Sequence, residues 1–374
     1  MKKIGILTFH ASHNNGSMLQ AYALQEYISR EFGCEVEIIN FSNKAQQRVY
    51  SLLYLPFGLK DIARNILNLM FYLQLKRQYN DFNAFSREHF SLSAENFSTL
   101  PELENAKLPY DILITGSDQI WNINAQDCDC AYFLPFMTNV PKFAYAVSLG
   151  GTNIANSPNK EKYARYINQL TAVSVREKNA KTWVESISSK NVDICVDPTL
   201  LVDSSFWDNM AGEREFKEKY IFWYTNVYRK DMRDIILAIG KKYNLPVYVI
   251  NAKEWSRRAL FLHGIKCAKN GGPKSFLSMI KNAEMVFTSS FHGSIFCNVF
   301  KKNFWHINVH NKTVDDDRAF FLLDQLGLSN RYINLNQILN YDLSKPPEYN
   351  IDVPMYKQFI PDSKKFLKTI IQEY

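Results

Sequence analysis

Short apolar runs alternate with helix-period segments along almost the whole chain. The runs Ile4–Phe9, Val36–Phe41, Asp111–Thr115, Phe143–Ser148, Ala172–Val175, Val192–Val196, Tyr220–Tyr224, Val247–Asn251, Met285–Thr288 and Phe304–Ile307 predict strands. Between them, Ser17–Arg30 sets Leu19, Tyr22, Ala23 and Tyr27 on one face, and Asp231–Tyr243 and Ser294–Phe300 also read as helices. Strands alternating with helices predict parallel βαβ units. The polar stretch Asp203–Lys219 divides them. The expected architecture is α/β: two doubly wound, Rossmann-like domains facing across a cleft, over residues 1–205 and 206–345, followed by a C-terminal tail or helix at 346–374.

Polar motifs follow the carboxyl ends of the predicted strands. Phe9 leads into His10-Ala-Ser-His-Asn-Asn-Gly-Ser17, Ile114 into Thr115-Gly-Ser-Asp-Gln-Ile-Trp121 and Val147 into Ser148-Leu-Gly-Gly151. Val175 leads into Arg176-Glu177, and Phe287 into Thr288-Ser-Ser-Phe-His-Gly293. Open α/β sheets bind ligands beyond that edge, so a cleft site drawn from both domains is expected. Residues 47–82 break the alternation: Ile62–Leu75 is apolar on more than one face, with Arg48, Lys60, Arg64, Lys76 and Arg77 interspersed. One reading is a helical excursion packed on the first domain. The other is an interfacial patch that contacts an anionic membrane.

Length and composition narrow this picture. A chain of 374 residues exceeds one ordinary core. With 46% apolar and 22% charged residues and no low-complexity tract, it has the make-up of a folded protein. No uncharged apolar run reaches the roughly 18 residues of a membrane-spanning helix. The basic start Met1-Lys-Lys3 is followed by His10 and His13 rather than an apolar signal core, so a cytoplasmic location is expected. Only Cys128 and Cys130 among the six cysteines are close-spaced, without the spacing of a zinc site; reduced thiols and no metal are expected. The net charge of +7 is dispersed, which suits an anionic small molecule or membrane surface better than nucleic acid.

Several residues could carry chemistry. His292 sits on a strand-to-helix corner, where backbone N–H groups favour anions; it is either a proton donor beside an anion or a satisfied structural histidine. The Asn15-Gly16-Ser17 turn offers helix N–H groups to a phosphate or carboxylate, or serves only as a cap. It is neither a G-x-G-x-x-G nor a Walker loop. Ser117, Asp118, Gln119 and Trp121 combine hydrogen-bonding groups with an aromatic face, as a sugar site does; alternatively Asp118 caps a turn and Trp121 fills the core. Arg176 emerges at the ligand edge to capture an anion, or pairs with Glu177. Asp197-Pro-Thr-Leu-Leu201 reads as structural. Asp315–Asp317 suit a helix start, since consecutive acids diverge too far to share a metal; Arg318 follows one turn in. His89, His263, His306 and His310 show no ligand spacing.

Taken in order, these motifs resemble the polysaccharide pyruvyl transferase family. The resemblance runs through Thr8–Leu24, Gly116–Asn122, Ser174-Val-Arg-Glu177, Asp197–Leu201 and Thr288-Ser-Ser-Phe-His-Gly293 to Arg318 before Leu322–Leu328. It implies a glycosyltransferase-B-like fold and transfer of a pyruvyl group from phosphoenolpyruvate, the co-substrate, with no further cofactor. Two hydroxyls of a hexose become bridged by a ketal and phosphate is released. His292 matches the family histidine thought to protonate the donor methylene. Arg176 is then assigned to the donor, with Asn15, Gly16, Ser17, Ser289, Ser290, Gly293 and Arg318 around it. Ser117, Asp118, Gln119 and Trp121 fall to the acceptor. The first domain becomes the acceptor side and the second the donor side.

The sequence departs from the family at Ser290, where better characterised members carry an arginine. Arg318, or Arg257 and Arg258, are the candidate replacements. The family acceptor is typically a sugar of a cell-surface polysaccharide, galactose or an N-acetyl-hexosamine being the first candidates. It is often borne on a polyprenyl-diphosphate lipid, which would bring the protein to the inner face of the cytoplasmic membrane. The alternatives are a nucleotide-sugar glycosyltransferase of the same fold and a catalytically inactive polysaccharide-assembly homologue.

Overall fold

In the computed structural model, which describes residues 1–54, 58–309 and 317–374, the apolar runs assemble into two wholly parallel sheets. The first holds β1 (Lys3–Leu7), β2 (Glu35–Phe41), β3 (Leu92–Phe97), β4 (Ile112–Gly116), β5 (Lys142–Val147), β6 (Ala172–Val175) and β7 (Val192–Ile194). The second holds β8 (Ile221–Tyr224), β9 (Val247–Val249), β10 (Lys266–Cys267), β11 (Met285–Thr288), β12 (Phe304–Asn308) and β13 (Tyr332–Asn334). The orders are β3-β2-β1-β4-β5-β6-β7 and β10-β9-β8-β11-β12-β13, the same doubly wound sequence twice. Strands such as β4, β5, β8 and β11 are buried end to end, because helices cover both faces of a parallel sheet.

β3, β10 and β13 lie outside the predicted runs. Each is short or polar and sits at a sheet edge, where an apolar repeat is not needed. Asp315, Asp316 and His310 lie outside the described residues.

Helix α1 (Asn15–Phe32) has Asn14 as its N-cap and ends at Gly33, which takes the left-handed φ of 63°. Its apolar stripe predicts one buried face, yet Asn15 to Gln25 are all buried. The second face is covered by the other domain, through the Pro273–Asn282 helix. One apolar cluster therefore runs through both halves, from Tyr22 and Leu24 to Phe276 and Phe296. Two further clusters fill the outer faces of the two sheets.

Residues 44–89 form α2 (Lys44–Tyr50), α3 (Leu59–Met70) and α4 (Tyr72–His89), which bridge the domains. On α4, Gln78 accepts from the Ala252 N–H and donates to the Ala268 carbonyl, both at 3.1 Å, and Asp81 accepts from the Gly271 N–H at 2.9 Å. The chain then returns: the C-terminal helix Ile360–Gln372 packs on the first domain, where Lys2 Nζ donates to the Ile371 carbonyl at 2.7 Å and the Val196 N–H to Ser363 Oγ at 2.9 Å. Among the described residues no helix is long and apolar enough to cross a membrane.

The returning helix contributes Leu367, Ile370 and Ile371 to the shared cluster. Leu367→Ala, at a fully buried position, is expected to cost about 2–5 kcal/mol, read as a lowered urea midpoint of the first domain. An unchanged midpoint would mean that the helix is only loosely docked.

Candidate functional site

The two sheets reverse direction beside β1 and β8, so their crevices open at the ends of β1 and β4 and of β8 and β11. The loops leaving these strands meet across the domain junction. Gly16, in the first turn of α1, lies directly against His292: a Cβ added there would sit 2.2 Å from the imidazole Nδ1. Only glycine lets the two turns approach so closely. His292 stands in the first turn of the Phe291–Val299 helix, capped by Ser290 Oγ, which accepts from the Gly293 N–H at 3.3 Å.

The other side of the imidazole meets Asp197. This residue follows β7 and spends Oδ1 on its own turn, accepting from the Thr199 N–H at 3.1 Å and Thr199 Oγ1 at 2.7 Å. Its Oδ2 accepts from Arg176 Nη1 at 2.6 Å, Ser117 Oγ at 3.2 Å and His292 Nε2 at 3.2 Å. One carboxylate oxygen thus joins three strand ends of the first domain to the helix start of the second. Burial would push the Asp197 carboxyl up, but His292, Arg176 and Thr199 together hold it well below the usual carboxylate range.

Around this centre Arg176 stacks on the Phe291 ring at 4.1 Å, while its Nε and Nη2 make no hydrogen bond among the described residues. Glu177 accepts from Ser148 Oγ and the Leu149 N–H, each at 2.9 Å, and burial raises its carboxyl despite Arg176 and Arg318 nearby. Ser117 and Asp118 hold left-handed φ values of 38° and 59°, a strained backbone for such residues. Asp118 accepts from Ser17 Oγ, which ties the end of β4 to the start of α1.

A cavity of about 570 Å³ opens beside this junction, large enough for a small anion and a sugar. Asn15, Tyr224 and Thr225 form the end nearest His292. His13, Tyr50, Tyr54, Tyr79 and Phe82 supply an aromatic wall from the first domain. His13 stacks on Phe82 with ring centroids 4.9 Å apart, and burial lowers its pKa to about 4, so it is neutral at physiological pH. Arg48, Arg64, Lys253 and Arg257 also line the cavity, against Glu254 as the single acid among the described lining residues. Lys253 lies 4.8 Å above the Tyr54 ring, and Arg257 Nη2 donates to the Tyr54 hydroxyl at 2.8 Å. Burial pushes the Lys253 ammonium below its usual pKa.

The motifs read from sequence are therefore only partly assembled. Asn15, Ser289 and Ser290 stand with His292 near the cavity; Ser289 Oγ lies 2.6 Å from Thr225 Oγ1. The Gly16 and Ser17 N–H groups are taken by the Asn14 side chain rather than left open. Arg176 is buried on Asp197 and does not reach the cavity. Arg318 begins the Arg318–Gln325 helix and lines, with Arg176, a void of only about 20 Å³ on the far side. Trp121 is stacked on Phe133 at 4.8 Å and donates to the Tyr132 carbonyl, so its position matches the packing reading and it offers no face to a sugar. Gln119 accepts from Asn122 at 3.1 Å, also away from the cavity. Arg257 lines the cavity, whereas Arg258 points to Glu254 at the surface.

Two features escaped sequence reasoning. Asp197 reads in sequence as part of a structural Asp-Pro-Thr-Leu-Leu segment, and nothing in the local pattern announces a histidine 95 residues later. Apart from His13, the aromatic wall comes from the 47–82 excursion, whose tyrosines carry no motif. Among the described residues no cluster of three His, Cys, Asp or Glu could hold a metal.

The model of the polysaccharide pyruvyl transferase family matches residues 14–311. The chain belongs to this family. No curated protein matches the chain in sequence. In structure it is similar to UDP-GlcNAc 2-epimerases: that of Rickettsia bellii at 10% identity and TM-score 0.55 over 100% of this chain and 96% of that one. Those of Methanocaldococcus jannaschii and Neisseria meningitidis are each 12% identical over the whole of both chains, with TM-scores of 0.54 and 0.51. So distant a likeness carries the fold alone, two facing Rossmann-like domains of the glycosyltransferase-B kind.

Removing the Asp197 charge leaves the buried Arg176 without its ion-pair partner and takes a charged acceptor from His292 Nε2. Asp197→Asn is expected to lower stability by about 3–5 kcal/mol at neutral pH. The folded pKa is depressed, so this advantage of the wild type is present above the unfolded value of about 3.9 and fades as pH falls below it. Urea midpoints of both proteins across that range check it; a gap that persists undiminished in acid would contradict the ionic origin.

Proposed function

We propose that this pyruvyl transferase family member moves the enolpyruvyl group of phosphoenolpyruvate onto two hydroxyls of a hexose, forming a pyruvate ketal and releasing phosphate. The observation that carries this reading is the position of His292. Its Nε2 is held by Asp197, its Nδ1 faces Gly16, and the adjoining residues open onto a cavity rich in cations and aromatic rings. Family membership supports transfer to a sugar; the donor and the ketal are our reading of the site.

In this account Asp197 fixes the ring through Nε2, leaving Nδ1 as the acid that gives a proton to the donor methylene. The donor C2 becomes oxocarbenium-like, and a sugar hydroxyl adds there while its proton returns to His292. Phosphate then leaves, and the second hydroxyl closes the ketal ring and surrenders its proton to the departing phosphate. Gly16 packs its backbone against Nδ1, where any side chain would collide with the ring. His292 is only 7% exposed, so the donor reaches it when the Gly16 turn draws back from the Phe291–Val299 helix.

The absence of an arginine at position 290 leaves the anion to other cations. Lys253 and Arg257 stand on the cavity wall and would take the donor phosphate or an acceptor phosphate; Arg176, buried on Asp197, would act on the donor only through the positive charge it places behind His292. Ser289, Ser290 and Gly293 would line the donor end. Tyr50, Tyr79 and Phe82 give a hexose its apolar platform. The acceptor, galactose or an N-acetyl-hexosamine, would be carried on a polyprenyl-diphosphate at the inner face of the cytoplasmic membrane.

Incubation with phosphoenolpyruvate and aryl hexosides is expected to release phosphate only when the sugar is present. His292→Ala should abolish that release, and Gly16→Leu should do the same by colliding with the imidazole and forcing it out of place. Near-wild-type turnover in His292→Ala would sink the acid assignment. Nucleotide released from a nucleotide-sugar, with phosphoenolpyruvate untouched, would point to a glycosyltransferase instead. Lys253→Met combined with Arg257→Met is expected to raise the KM of the anionic substrate about tenfold or more, the worth of one charge-assisted contact, with a smaller effect on kcat.

A further inference from the structure

Helix α3 is built inside out. Leu59, Ile62, Ile66, Leu69 and Met70 recur every three or four residues, forming one stripe that Leu73 continues at the start of α4. A soluble protein buries such a stripe, yet here these side chains are 46–85% exposed. Three polar side chains of the same helix, Asp61, Asn65 and Asn68, point inward. Asp61 is buried on Arg48 and Arg64, Asn65 clamps both backbone groups of Tyr54, and Asn68 donates to the Leu52 carbonyl at 2.8 Å. The second domain extends the patch: Phe261 packs on Phe71 at 5.2 Å, and the next residue, Leu262, is 73% exposed. A contiguous apolar face of this kind marks a contact surface.

Charge selects the partner. Residues 44–79 contain six basic side chains (Lys44, Arg48, Lys60, Arg64, Lys76, Arg77) and one acid, Asp61, which is buried. Lys76 and Arg77 are exposed one turn beyond Leu73, and Arg258 is exposed on the neighbouring domain. A second copy of the chain seated on the same face would set these cations against themselves. We infer that α3 and the first turn of α4 dock on an anionic lipid bilayer, with the leucine and isoleucine side chains in the acyl boundary and the flanking cations at the headgroups.

The bilayer contact is argued from this surface alone. Only its purpose, presenting a lipid-linked acceptor, rests on the reaction proposed above. For that purpose the geometry is apt. Arg64 and Tyr54, which α3 positions, line the cavity, so the docked helix also forms part of its wall.

Co-sedimentation of the full chain with phosphatidylcholine vesicles, with and without phosphatidylglycerol, tests the inference. Binding is expected to the anionic vesicles, to weaken with salt, and to fall about tenfold or more in Ile66→Asp combined with Leu73→Asp. Lys76→Glu with Arg77→Glu should remove the preference for phosphatidylglycerol while leaving thermal unfolding unchanged, which keeps the test valid if the aspartate variant misfolds. Phosphate release onto a soluble hexoside should survive in both variants, which separates failure of the surface from failure of the reaction. Wild-type protein that ignores both kinds of vesicle would overturn the proposal. So would a dimer in solution that the aspartates convert to monomer, since the face would then join two copies.

Discussion

The carboxylate of Asp197 organises the junction on which the rest of the site depends. It is buried, ionised and shared between Arg176 of its own domain and His292 of the other. A buried charge survives only when its hydrogen-bonding capacity is filled, and here both oxygens are. The same bonds fix the plane of the imidazole and the closeness of the two domains. Gly16 is the steric complement of this arrangement. By having no side chain it lets α1 approach the ring, so the position of the imidazole is set by one carboxylate and one missing side chain.

Around that junction the two domains contribute different things. The first brings Asp197, Arg176 and the strained Ser117-Asp118 turn, all at strand ends. The second brings His292 and, on the cavity wall, Lys253 and Arg257. The excursion α2–α4 joins the two, since Tyr54 from one half is held between cations of the other. This gives one segment three duties: bridging the domains, lining the cleft and exposing an apolar face.

Much of the fold was legible because parallel strands buried on both faces must be apolar throughout. The run Met285–Thr288 coincides with β11 end to end, and Ala172–Val175 with β6. Among the edge strands β7 was legible as Val192–Val196, whereas β3 alternates too little to stand out and β10 is two residues long. At the site, His292 and the Asn15–Ser17 turn could be found from their place after strands. Asp197 could not, since its role depends on a contact between domains. Trp121 shows the opposite difficulty: its neighbours are polar, yet its indole belongs to the core. The exposed stripe on α3 was visible as apolar sequence, but only the fold tells which face points outward.

The central claim is that His292 and its partners serve transfer from phosphoenolpyruvate to a sugar. Carbon-13 NMR of the acceptor after incubation with phosphoenolpyruvate labelled at C2 tests it most directly. The account predicts one new ketal carbon on the hexose, formed in step with inorganic phosphate. Labelled phosphoenolpyruvate recovered unchanged in the presence of competent acceptors, while the protein transfers a sugar from a nucleotide, would contradict it.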